Sequence, residues 1–171
     1  MNLIRVIPRL DIKGKELVKG VHLEGLRVLG RPENFAQYYY CQGADEIIYQ
    51  DAVASLYQRN SLLDVISKTA QSIFIPLTVG GGIRNLDDIA QVLRAGADKV
   101  SINTAAIQRP EFITEAAKVF GSSTIVVAIE VSKYDGDYWC FTDNGREQTG
   151  RRLIDWTPEV ESRGAGEILL T

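Results

Sequence analysis

Gly43-Ala44-Asp45-Glu46-Ile47-Ile48 recurs as Gly96-Ala97-Asp98-Lys99-Val100-Ser101 and again as Gly164-Ala165-Gly166-Glu167-Ile168-Leu169. Each copy puts Gly-Ala where a helix gives way to a strand, because glycine ends a helix without steric penalty. Each then opens the strand with a charged residue, Glu46, Lys99 or Glu167. Outward from these anchors, short β-branched runs at Arg5–Asp11, Glu46–Asp51, Ile75–Val79, Lys99–Asn103, Ile125–Glu130 and Glu167–Thr171 read as strands. Between them, amphipathic stretches near Pro32–Gln42, Ser61–Ser72, Leu86–Ala95, Pro110–Phe120 and Pro158–Arg163 read as helices.

Such βαβα alternation predicts an α/β fold with a parallel sheet covered by helices. Repetition of one βα unit fits a (β/α)8 TIM barrel better than a doubly wound sheet. A complete barrel needs roughly 200–250 residues. The 171 residues here are therefore expected to form an incomplete one, a half barrel plus strands five and six, with about six strands and five helices. Residues Val131–Gly150 break the rhythm around Tyr134-Asp135-Gly136-Asp137 and predict a small hairpin inserted after the fifth strand. The sequence stops at Thr171, at the end of strand six. An open strand edge is a liability, so either the chain is a fragment or another copy covers the edge by self-association.

Composition excludes several classes. With 45% apolar and 24% charged residues, the chain is ordinary globular protein. A net charge of −3 argues against a nucleic-acid surface. No apolar run approaches a membrane span, and the N-terminus lacks the pattern of a signal peptide. Cys41 and Cys140 show no metal or redox spacing, which points to a reducing cytoplasm. His22 is the single histidine, so a multi-histidine metal site is ruled out, and no cofactor motif is present.

Strand parity sorts the remaining polar residues into two groups. Arg5, Glu46, Lys99 and Glu167 fall at the N-terminal ends of their strands. Two cations and two anions there could close a ring of ion pairs, serving either as a stabilising floor or as a gate. At the C-terminal ends fall Asp11, Asn103, Glu130 and Thr171. Two carboxylates facing one another can divide proton transfer, one accepting while the other donates. Thr78-Val79-Gly80-Gly81-Gly82-Ile83 follows a strand and precedes a helix, so its backbone N–H groups could cradle a phosphate. A glycine triplet alone is more often a tight turn. Ser101-Ile102-Asn103-Thr104 adds hydroxyl and amide donors on the neighbouring strand end. Lys19, in a glycine-bounded segment from Lys13 to Gly20, has surroundings that suit a mobile lid, although a solvated surface lysine is the commoner reading of such a residue. Val21–Gly30 reads as an extended loop.

Leu10-Asp11-Ile12-Lys13, Val18-Lys19-Gly20, Thr78–Ile83, Gly96–Ala106 and Gly164–Thr171 together resemble the cyclase subunit family of imidazole glycerol phosphate synthase. The resemblance runs from about Arg5 to Thr171. It implies an ammonia-dependent lyase of histidine biosynthesis that works with a glutaminase partner. Ammonia would pass through the barrel and react with a bisphosphorylated ribulosyl aminoimidazole carboxamide to give imidazole glycerol phosphate. By the resemblance, Asp11 and Glu130 are the acid/base pair, and Lys19 is the lid lysine. Gly82, Asn103 and Thr104 bind one terminal phosphate, with Gly81 and Thr171 beside them in the substrate site. Arg5, Glu46, Lys99 and Glu167 form the ammonia gate. Glu130 departs from the family's aspartate, and Arg9 stands where a small residue is usual. These two departures resemble a divergent branch that feeds ammonia into amidine formation on a nucleotide sugar. A third possibility is a non-catalytic phosphate-binding half-barrel.

Overall fold

The computed structural model describes residues 4–21, 25–52 and 59–171. The chain divides into two compact units, Met1–Gly82 with Ile89–Asp98, and Ile83–Asp88 with Lys99–Thr171.

In the first unit, strand β1 (Arg9–Lys13) lies parallel to β4 (Ile47–Asp51), which lies parallel to β5 (Leu77–Gly80). Helices α1 (Pro32–Cys41) and α2 (Arg59–Ala70) and most of α3 (Leu86–Arg94) belong to the same unit. Leu10, Ile12, Ile47, Tyr49, Val65, Ile66, Leu77 and Ile89 form its buried core. Alternation along β1 buries Leu10 and Ile12 and leaves Arg9 and Asp11 on the other face, as period two requires. On the second unit's side of the chain, β6 (Lys99–Ile102), β7 (Ile125–Tyr134) and β10 (Glu167–Leu170) are parallel. Helices α4 (Thr104–Gln108), α5 (Glu111–Phe120) and α6 (Leu153–Ser162) accompany them. Ile125 through Ile129 are all buried, the pattern of a strand covered on both faces. The element order in each unit is that of an incomplete (β/α)8 barrel.

The sequence repeat has one physical origin. Gly43, Gly96 and Gly164 have φ of 87°, 117° and 102°, conformations that suit glycine. Each donates its N–H three residues back, and the following alanine donates five back: Ala44 to Tyr39, Ala97 to Val92 and Ala165 to Val160. Every copy is thus a Schellman cap. Asp45 and Asp98 then exchange bonds with the next strand, their carboxylates accepting from the Val6 and Leu77 amides at 2.7 and 2.8 Å. The third copy carries Gly166 because a Cβ there would collide with the Ser122 carbonyl oxygen.

The structure corrects several expectations. Among the described residues the expected six barrel strands are present, three parallel in each unit, and to them are added four antiparallel strands and a sixth helix. Lys13–Gly20 is not a loop: Gly14, at φ 61°, lets the chain turn in two residues, so β2 (Glu16–Val21) pairs antiparallel with β1. β3 (Gly25–Gly30) pairs in turn with β2, where an extended loop was expected; His22, Leu23 and Glu24 lie outside the described residues. The expected hairpin at Val131–Gly150 is a three-stranded meander, because β7 runs on to Tyr134 before β8 (Asp137–Thr142) and β9 (Glu147–Arg152). Helix α6 begins five residues before Pro158. Trp156 and Val160, one turn apart and buried, anchor it, and the Arg152 guanidinium pairs with Asp155 at 2.8 Å in its first turn.

Candidate functional site

Asp11 stands in the middle of β1, one residue before its parallel pairing with β4 ends at Ile12, its side chain 43% exposed. The Nε–H of Arg9, two residues earlier on the same face, donates to Asp11 Oδ1 at 3.0 Å. Parallel register sets Gln50 of β4 beside Asp11 and Asp51 beside Ile12. Parity on β4 would have flagged Gln50, which the sequence reading passed over. Lys19 is exposed on β2, opposite Arg27 of β3. A short, paired strand carries it instead of a free lid.

The glycine loop closes β5. Gly81 and Gly82 have φ of 100° and 68°. A Cβ on Gly81 would sit 2.6 Å from the Asp51 carbonyl oxygen, so only glycine allows this approach to the end of β4. That steric demand stands independently of any phosphate. Beyond the loop, Asn85 caps α3: its side-chain oxygen accepts from the Asp88 amide at 2.8 Å, and the Asp88 carboxylate accepts from the Arg84 amide at 2.9 Å.

In the second unit, Glu130 ends the buried run of β7, half-buried. Its Oε2 accepts from the Gly145 amide at 2.8 Å. Asn103, just after β6, donates from Nδ2 to the Phe141 carbonyl at 3.2 Å. Thr104 begins α4, and Thr171, exposed, donates its amide to Ile129 O at 3.0 Å.

Among the charges near the opposite strand ends, one ion pair lies in each unit. Arg5 Nη1 lies 3.1 Å from Glu46 Oε2, and Glu46 is only 2% exposed. Glu46 Oε1 also accepts from the buried Thr78 hydroxyl at 2.5 Å, a partner that sequence reading missed. In the second unit Lys99 Nζ lies 2.7 Å from Glu167 Oε1. Around the Arg5 end, Ile4, Val6 and Phe74 are exposed at 92%, 64% and 83%.

No helix among the described residues is long and apolar enough to cross a membrane. Burial pushes the Cys140 thiol above its ordinary range, and burial likewise pushes up the Tyr49 phenol, whose oxygen lies 2.7 Å from Thr69 Oγ1.

Comparison with known proteins adds to this geometry. The profile of a family described as "Histidine biosynthesis protein" matches residues 5–171. The imidazole glycerol phosphate synthase subunit HisF of Legionella pneumophila is 56% identical over 172 residues, covering 100% of this chain and 81% of that protein. The HisF subunits of Staphylococcus saprophyticus and Campylobacter concisus are 50% and 51% identical over 98% of this chain. The chain spans 67% and 66% of their respective lengths.

Proposed function

The chain belongs to the histidine biosynthesis protein family, and from that premise we propose that it is the ammonia-dependent cyclase subunit of an imidazole glycerol phosphate synthase. The observation that carries the reading is the placing of Asp11 and Glu130. Each is a solvent-reaching carboxylate near the C-terminal end of its strand's parallel pairing, the end where barrel enzymes do chemistry. Attack of ammonia on a carbonyl, loss of water and expulsion of an amine all require a proton taken at one atom and returned at another. Asp11 and Glu130 are suited to that exchange as general base and general acid.

In this reading Gly81, Gly82, Asn103 and Thr104 hold one terminal phosphate through backbone and side-chain donors, with Thr171 beside the substrate. Lys19 supplies a cation toward it. The Arg5–Glu46 and Lys99–Glu167 pairs gate the entry of ammonia. The exposed Ile4, Val6 and Phe74 are apolar surface suited to docking a glutaminase, and the enzyme works in the cytoplasm. The Arg9–Asp11 contact favours one alternative acceptor, a nucleotide sugar, because a guanidinium beside the base is a departure from the family.

The test is direct. Protein expressed from the complete gene is given an ammonium salt and the bisphosphorylated ribulosyl aminoimidazole carboxamide. Formation of imidazole glycerol phosphate is expected. A folded protein that gives no product at saturating ammonium contradicts the reading, and rescue of a histidine auxotroph by the gene contradicts the nucleotide-sugar alternative.

A further inference from the structure

Glu130 lies on β7 and Asn103 just after β6, yet both are tied to one short piece of chain. Glu130 Oε2 accepts from the Gly145 amide at 2.8 Å, and Asn103 Nδ2 donates to the Phe141 carbonyl at 3.2 Å. Phe141 is itself the register partner of Glu130 on β8, and Gly145 lies in the turn that joins β8 to β9. That turn has an uncommon backbone. Asp143, Asn144 and Gly145 have φ of 54°, 57° and 77° in succession, and the Arg146 amide donates to Thr142 O at 3.1 Å. Consecutive left-handed residues are avoided by L-amino acids, least by Asp and Asn. Such a backbone suits a hairpin loop, where Asp, Asn and Gly tolerate the left-handed region. Here its product is a backbone N–H aimed at a carboxylate.

We propose that the β8–β9 turn is the positioning element for the acid/base carboxylate: the Gly145 amide orients Glu130, while the adjoining Phe141 carbonyl orients Asn103. The proposal rests on the reading of Glu130 as an acid/base residue. A bond from Gly145 to Oε2 fixes the carboxylate plane and leaves Oε1 to exchange the proton. It also accounts for the length of the side chain, since an aspartate is one methylene shorter and would stop short of the turn. Gly145 itself contacts nothing through the place a Cβ would occupy, so steric crowding does not explain the approach.

The test is a double-substitution cycle on protein from the complete gene, with ammonium as nitrogen source. In one variant Asp143–Arg146 is replaced by Asn-Gly, a two-residue turn that keeps β8 and β9 paired but removes the donor. We expect kcat to fall at least ~10-fold with KM nearly unchanged, in keeping with the sensitivity of proton transfer to displacements of about an ångström. Glu130→Asp should cost about the same in the native background and nothing further in the shortened-turn background. Independently of activity, the Gly145 amide proton resonance should move upfield in Glu130→Asp. An unmoved Gly145 resonance overturns the proposal. So does an unchanged kcat in the shortened-turn variant alongside lost turnover in Glu130→Gln. Full turnover in Glu130→Gln overturns the underlying reading of Glu130, and the proposal with it.

Discussion

Asp11 and Glu130 occupy corresponding places, each near the C-terminal end of its strand's parallel pairing, but they are held by different means. Asp11 is bonded at 3.0 Å by the guanidinium of Arg9, a side chain of its own strand that is itself 38% exposed. Glu130 is bonded at 2.8 Å by the backbone amide of Gly145, fifteen residues away. A side-chain clamp on one strand is local, solvated and rotatable. A backbone clamp is set by the fold of a second element. The difference teaches that a carboxylate's place in a site can be read from its own strand, whereas its orientation depends on what is packed against it.

The largest effect expected is on chemistry at the Arg9-clamped end. Asp11→Asn removes the exchangeable charge and should lower ammonium-driven kcat by about 100-fold or more, measured by product formation under saturating substrate. A value within a few-fold of native would break the equivalence of the two strand ends.

A smaller effect compares the two charge pairs at the other strand ends. Glu46 is buried and accepts from Arg5 and Thr78, whereas Glu167 is 32% exposed. Thr78→Val removes one donor to the buried Glu46 carboxylate and should cost about 1–3 kcal/mol in urea unfolding. Glu167→Gln should cost less than about 1 kcal/mol, as partly exposed pairs do. Equal costs would show that burial does not separate the two pairs.

The smallest effect is a contrast in reactivity. Cys41 is exposed, and Cys140 is buried, with its thiol pushed up by desolvation. The thiolate is the nucleophile, so raising the pKa lowers reactivity at neutral pH and delays it to more alkaline pH. A maleimide at neutral pH should label one cysteine per native chain, located by peptide mass at Cys41. Rapid labelling of Cys140 would mean that β8 opens readily.

Much of the fold was legible because the sequence repeats its own punctuation. Three Gly-Ala pairs mark three Schellman caps, and β-branched runs follow each of them. The β2–β3 hairpin was not legible. Its second strand, Gly25–Gly30, is exposed along most of its length, so no buried face imposes an alternating pattern. Helix α4, five residues long, is too short for helical periodicity to show. In α6, Pro158 looked like a helix start because proline favours the first turn, whereas buried Trp156 and Val160 carry the helix through it. For the candidate site, parity found Asp11, Glu130 and the four charges at the strand starts. It could not find Thr78 on Glu46 or Gly145 on Glu130, because both contacts join residues distant in sequence. The need for Gly81 was visible as a glycine, but its reason, the approach to Asp51, lies in the packing of β4 against the loop.

The measurement that tests the central claim most directly is ammonium-driven turnover of the native protein from the complete gene beside its Glu130→Gln variant, at saturating bisphosphorylated substrate. The account predicts imidazole glycerol phosphate from the native protein, and a kcat lowered by about 100-fold or more in the variant with KM little changed. Native turnover that survives Glu130→Gln intact would contradict it.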